Sequence, residues 1–210
     1  MLGGKRSLVT VRRSSYRSLA SLQRDNRACR ACAEAGYPIQ SRPVFEGRAG
    51  QRAYLFGLAP GVVEGEERRP WRGRAGKALR RWLELDEESF YETFYCAAVT
   101  RCYPGKPPSG RGDRPSTPEE RRLCAFWQEW ELRLLRPGLL VPVGGTAIRR
   151  LLGFDSLACV GTRIELADAV AIPLPHPSGA SGWLNDATNR ARLEQALGFL
   201  HTELSERSGT

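Results

Sequence analysis

Residues 53–61 read Ala-Tyr-Leu-Phe-Gly-Leu-Ala-Pro-Gly. The first five carry no charge on either alternating face and make a short buried strand, which runs straight into Leu58-Ala59-Pro60-Gly61, a turn of small residues. A strand covered on both faces belongs in a parallel sheet with helices above and below. The flanking sequence repeats the pattern. A helix is expected near Ala75 to Leu85, a second strand over Thr93 to Val99, and an exposed Pro/Gly-rich loop over Gly105 to Pro118. Thr117 followed by Pro118, Glu119 and Glu120 is a capped start for a helix reaching about Leu135. Leu139 to Val143 is a third strand, Thr146 to Leu152 a short helix, Val170 to Leu174 a fourth strand and Asn189 to Leu204 a closing helix. This alternation predicts an α/β fold, a three-layer α/β/α sandwich around a four-stranded parallel sheet. Right-handed crossovers put the strand C-termini along one edge, where such folds bind their ligands. The loops Gly57 to Gly76, Arg101 to Pro118 and Pro175 to Asn185 should therefore converge.

The 210 residues, 41% hydrophobic and 26% charged, suit one globular domain and exclude disorder as the main state. Residues 1–15 are expected to be a basic flexible arm, 16–206 the domain, beginning with a helix around Tyr16 to Ala35, and 207–210 a tail. Apolar runs such as Gly138 to Gly145 fall far short of the roughly 20 residues that span a bilayer. The start, Met1 to Ser18, lacks the features of a secretory signal, so a monomeric cytoplasmic protein without membrane contact is expected. The net charge of +9, nearly all of its positive side Arg, points to a polyanionic partner, nucleic acid first. An Arg-rich proteome would give the same balance.

Six cysteines in a chain read as cytosolic argue for ligand chemistry over disulfides. Cys29 and Cys32 form a C-x-x-C, Cys102 follows Arg101 after an apolar run, and Cys124 falls in a helical pattern. Four thiolates suit a [4Fe-4S] cluster or a structural zinc, and the spacing permits both.

Gly57-Leu58-Ala59-Pro60-Gly61, then Pro70-Trp71-Arg72-Gly73, and finally His176-Pro177-Ser178-Gly179 together resemble the active-site motifs of the uracil-DNA glycosylase superfamily. Its iron-sulfur branches, families 4 and 5, have a G-E-A-P-G or G-L-A-P-A loop followed by an aromatic in P-F-x-G. They also have a C-x-x-C, a third Cys in a K/R-C-x-P context, and a fourth after E-E-x-x-x-C. Here these match Cys29, Cys32, Cys102 of Arg101-Cys102-Tyr103-Pro104, and Cys124 after Glu119-Glu120. The resemblance implies a structural [4Fe-4S] cluster, zinc being the alternative. It also implies a DNA repair enzyme that flips a deaminated base out of single- or double-stranded DNA and hydrolyses its N-glycosidic bond, leaving an abasic site. Trp71 would stack on the base, His176 would donate a hydrogen bond to the departing ring, and Ser178 and Gly179 would approach a DNA phosphate. Trp183 or Leu184 would wedge into the vacated stack.

Three departures from the family pattern matter. Leu58 stands where family 4 has Glu, and Arg74 where family 5 has Asp, leaving Glu64 as the best remaining acid with Glu66 and Glu67 beside it. Ala98 replaces the Asn that reads uracil in family 4, which opens the pocket to hypoxanthine or xanthine as well as uracil. The insertion between the third and fourth Cys is longer and is expected to bulge outward over Pro107 to Pro115. Arg101, Arg111, Arg114, Arg121 and Arg122 are candidate phosphate contacts. With both usual acids gone, the alternative function is a catalytically weak damaged-DNA-binding protein of the same fold. Trp127 and Trp130 are read as packing residues.

Overall fold

The computed structural model describes residues 12–154, 157–178 and 182–208. Its sheet is built on β1 (Ala53–Gly57), which pairs in parallel with β2 (Phe94–Ala98) on one side and β3 (Leu139–Pro142) on the other. A short strand Val170–Ala171 pairs in parallel with Leu139 and Leu140 of β3. The expected fourth strand to Leu174 continues as backbone bonds from Ile172 N to Leu140 O and from Leu174 N to Pro142 O. Pro142 and Pro173 have no N–H to give, so the ladder thins there.

Among the described residues the sheet holds five strands instead of the expected four. A two-residue strand, β4 (Ile164–Glu165), closes the edge antiparallel to β5 (Val170–Ala171), giving the order β2-β1-β3-β5-β4. Two residues are too few to show a period of two in sequence, and β4 is only half-buried.

Alternate strand residues feed two cores. Leu55, Phe94, Cys96, Leu139 and Val141 pack into one, and Tyr54, Phe56, Tyr95, Ala97 and Leu140 into the other. The first core lies under α4 (Arg74–Trp82), α5 (Glu87–Thr93) and α8 (Ala187–Ser208), which contribute Leu79, Phe90 and Leu200. The second lies under α1 (Leu19–Arg27), α6 (Pro118–Leu135) and α7 (Gly145–Leu152), with Leu22, Trp127 and Ala147. This is the three-layer sandwich. The expected N-terminal helix is broken into α1 and α2 (Ala31–Glu34), and the C-x-x-C straddles the break. The six-residue helix α3 (Val62–Glu67) follows the Pro60-Gly61 turn; it buries no side chain, so it has no apolar stripe to betray it in sequence. Of the expected arm, residues 1–11 lie outside the described residues. Arg12 lies over the rings of Phe126 and Trp127, and Arg13 pairs with Asp25 at 2.7 Å. No described helix is long and apolar enough to cross a membrane.

Candidate active site

Register decides where the loops emerge. Gly57 is paired with Ala98 at the ends of β1 and β2, and the bridge between Val143 and Leu174 brings the next two chain segments to the same edge. At that edge lies a cavity of about 320 Å³, lined by Gly57, Leu58, Ala59, Pro60, Gly61, Glu64, Trp71, Ala98, His176 and Ser178. Residues nearly 120 positions apart thus meet in one concavity, at the small end of the range of about 300–1,000 Å³ for ligand sites. Gly179 lies outside the described residues. Trp183 and Leu184 sit in a single 3₁₀ turn, half-buried against the first core.

Trp71 is clamped from three sides. Its backbone is left-handed, with φ 60°, an uncommon state for a bulky residue. Arg80 Nη1 donates to its carbonyl at 2.8 Å, and Tyr91 OH donates to the carbonyl of Pro70 before it. The indole lies against Gly57, where a Cβ would come within 2.9 Å of Cζ2, so the strand's terminal glycine is what lets the ring close over the cavity.

His176 follows the last parallel segment and is backed by Gly144. The Ser178 N–H donates to its Nδ1 at 3.3 Å, and Ser178 Oγ lies 2.9 Å from the same nitrogen. An N–H can only donate, so Nδ1 is the acceptor and the ring proton sits on Nε2. Burial holds the imidazole below its ordinary value of 6.5, against an opposing pull from Glu64. A neutral ring with an Nε2–H donor is the result.

Glu64 lines the cavity, but both its oxygens are engaged. Oε2 accepts from Gly61 N at 3.1 Å and Oε1 from Gly73 N at 2.7 Å, so the carboxylate ties the turn after β1 to the start of α4. Glu66 and Glu67 are exposed and absent from the lining; Glu67 pairs with Arg72 at 2.5 Å. Leu58 and Arg74 reach the wall as a hydrocarbon and a cation.

The expectation of an outward bulge over 107–115 is corrected at its far end. Asp113 turns back to the cavity wall, its Oδ1 accepting from Tyr103 OH at 2.9 Å. Arg114 beside it is fastened to Glu120 at 2.6 Å and to Pro104 O at 2.9 Å, which pulls the loop home. Asp113 was the missed residue of the site. The available signal was a single acid in one of the three loops expected to converge.

Cys29, Cys32, Cys102 and Cys124 line one small separate cavity. Trp127 Nε1 donates to Cys29 Sγ at 3.4 Å and Arg101 N to Cys124 Sγ at 3.3 Å. Burial, then the neighbouring Cys124 and Cys29, push the Cys32 thiol up to about 12, and burial likewise raises Cys102 and Cys124. Four thiolates could share this space only around a cationic centre. Among the described residues no three His, Cys, Asp or Glu side chains are grouped to hold a single metal ion.

The arginine expectations divide. Arg101 is corrected outright: it is 1% exposed and pairs with Glu131 at 2.5 Å, where Tyr54 OH also donates at 2.6 Å. A guanidinium buried with a carboxylate faces no phosphate. Arg114 is committed to Glu120, and Arg122 pairs with Glu119 on the surface. Arg111 is exposed and Arg121 half-buried.

A model of the Uracil DNA glycosylase superfamily matches residues 44–200. A Type-4 uracil-DNA glycosylase of Thermotoga maritima is 29% identical over 172 residues, 76% of this chain and 83% of that protein. A Type-5 uracil-DNA glycosylase of Thermus thermophilus is 37% identical over 139 residues, 58% of this chain and 59% of that protein. The family match spans all five strands, Trp71 and His176, but begins after Cys29 and Cys32.

Proposed function

The chain belongs to the uracil-DNA glycosylase superfamily, and from that premise we propose that it is a DNA N-glycosylase that hydrolyses the bond between a deaminated base and deoxyribose. One observation carries the reading: an indole and a neutral imidazole far apart in the chain wall a single cavity at the edge formed by the strand C-termini. A base inside a duplex cannot reach such a cavity, so it is everted, at a cost of a few kcal/mol, and stacks on Trp71. As the C1′–N bond lengthens, negative charge builds on the leaving base. The Nε2–H of His176 meets that charge with a donor already oriented by Ser178. The neutral imidazole keeps its Nε2–H, so it stabilises the departing anion as a hydrogen-bond donor without carrying a charge of its own. Ser178 lies at the mouth, where a phosphate of the everted nucleotide would pass.

Ala98 supports a broad choice of base. It offers the pocket a methyl group where a carboxamide would read the pyrimidine edge, so uracil is held by stacking and by His176. Hypoxanthine and xanthine meet the same two contacts. Glu64 acts by position, holding the Gly61 turn and Gly73 in register so that Trp71 faces His176.

The four cysteines fit a [4Fe-4S] cluster better than zinc. The four sulfurs line one cavity with two N–H groups aimed at Sγ atoms, which suits either group, and no three of them are grouped to hold a single ion among the described residues. A lone zinc needs four sulfurs at about 2.3 Å from one point, whereas a cube of iron and sulfide spreads them. Bound there, the cluster would supply no chemistry to the hydrolysis and would tie α1 and α2 to α6 and the loop after β2.

The test is single-turnover release of base from oligonucleotides bearing uracil or hypoxanthine, with enzyme in excess. Release of either, leaving an alkali-labile abasic site, is expected. Tight binding with no release from either would overturn the enzyme in favour of a damage-binding protein.

A further inference from the structure

Hydrolysis needs a nucleophile as well as a leaving group, and resting on the glycosylase reading, the group that prepares the water can be named. Leu58 and Arg74 line the cavity, and neither can take a proton from water. Glu64 has both oxygens occupied by backbone N–H groups. Asp113 differs on each count. It lies on the cavity wall; its Oδ1 is fixed by Tyr103 OH at 2.9 Å, and its Oδ2 stands 3.2 Å from where a Cβ on Gly61 would be. The absence of a side chain at Gly61 thus opens the cavity turn to that oxygen. Among the described residues no donor or cation reaches Oδ2. Burial and the Asp113 carboxylate raise the Tyr103 phenol to about 12, so Tyr103 stays a donor. The loop is held at its base, since Arg114 N donates to Gly105 O at 2.8 Å and the Arg114 side chain is locked to Glu120.

We infer that Asp113 is the catalytic carboxylate that orients and deprotonates the attacking water. The C1′–N bond breaks and its electron pair leaves with the base, held by His176. The water oxygen bonds to C1′ while its proton passes to Asp113 Oδ2. That proton later neutralises the base anion, so the sum is water plus nucleotide giving abasic sugar plus free base. Placement on a loop outside the sheet leaves the Asp113 carboxylate exposed to water at the cavity wall.

The experiment compares wild type with Asp113→Asn, which keeps an oxygen to accept from Tyr103 but cannot take a proton. Single-turnover uracil release by D113N should fall about 100-fold or more, the usual loss of a general base. Its affinity for an oligonucleotide bearing the cleavage-resistant 2′-fluoroarabino nucleotide, and its melting temperature, should match wild type. Wild type that cleaves while D113N stays within about threefold of it would overturn this assignment alone. Wild type that releases no base would overturn the glycosylase reading, and this assignment with it. Loss of binding or melting temperature in parallel with rate would make Asp113 a structural residue and equally overturn it.

Discussion

Gly76→Ala should destabilise the protein and damage the site, although alanine is the better helix former by about 1 kcal/mol. Gly76 lies in the first turn of α4, directly under the Trp71 carbonyl: an added Cβ would fall 1.7 Å from Trp71 O and 2.3 Å from Trp71 C. Those are backbone atoms, and a rotamer change cannot move them. Trp71 has nowhere to retreat, because its carbonyl is bonded to Arg80 at 2.8 Å and its ring rests on Gly57. Overpacking of this kind costs about 1–3 kcal/mol, and loss of the charged bond from Arg80 adds about 1.5–3 kcal/mol. With the propensity gain subtracted, a net loss of about 1.5–5 kcal/mol remains. For a chain of this length that lowers the melting temperature by about 3–20 °C. Differential scanning calorimetry of the metal-loaded proteins measures it, and uracil release at a temperature where both are folded should fall as the indole is displaced. A G76A protein that melts at or above wild type and cleaves normally would refute the reasoning that α4 and Trp71 are in backbone contact.

Four other outcomes are expected. His176→Ala should slow single-turnover base release by about 100- to 1,000-fold, as removal of an oxyanion-type donor does, with affinity for uncleavable DNA unchanged; an unchanged rate would remove His176 from the chemistry. Burial lowers the His176 pKa, so between that value and 6.5 the unfolded chain takes up a proton that the folded chain refuses. The ring's contribution to stability is therefore complete above 6.5 and is lost as pH falls through the folded value; an imidazole NMR titration with its midpoint at or above 6.5 would contradict this. Glu64→Gln presents an NH2 group to one of two N–H donors and should cost about 1–3 kcal/mol in thermal unfolding, accompanied by a higher KM as the Gly61 turn loosens. Cys29→Ser should lose metal and soluble yield together, read by iron and sulfide analysis; full occupancy in that variant would break the ligand set.

The strand-turn segments were legible because each is a local pattern: short apolar runs mark β1, β2 and β3, and a glycine or a proline closes β1 and β3. Trp127 was legible as packing from its helical position, and it is fully buried. The cysteine quartet, Trp71 and His176 were legible by spacing and by the motifs around them, and the cavity gathers the last two as the convergence of C-terminal loops required. What a residue's neighbours along the chain cannot say is which atoms its polar end will meet. Arg101 looks like any arginine beside a cysteine, yet Glu131, thirty residues on, claims it inside the second core.

Composition and periodicity therefore determined the layer order and the edge where the loops converge, because burying apolar side chains is a local demand repeated along the chain; Trp71 and His176 came from the resemblance of their motifs to a known family. Tertiary structure alone decided which carboxylates are spent and which are free. Glu64 is consumed by two amides that only the folded turn presents, while Asp113 is delivered across the gap at Gly61 by a loop anchored through Arg114 to α6. Hydrogen-bond partners are set by distances in space, and those exist only once the sheet has brought its loops together.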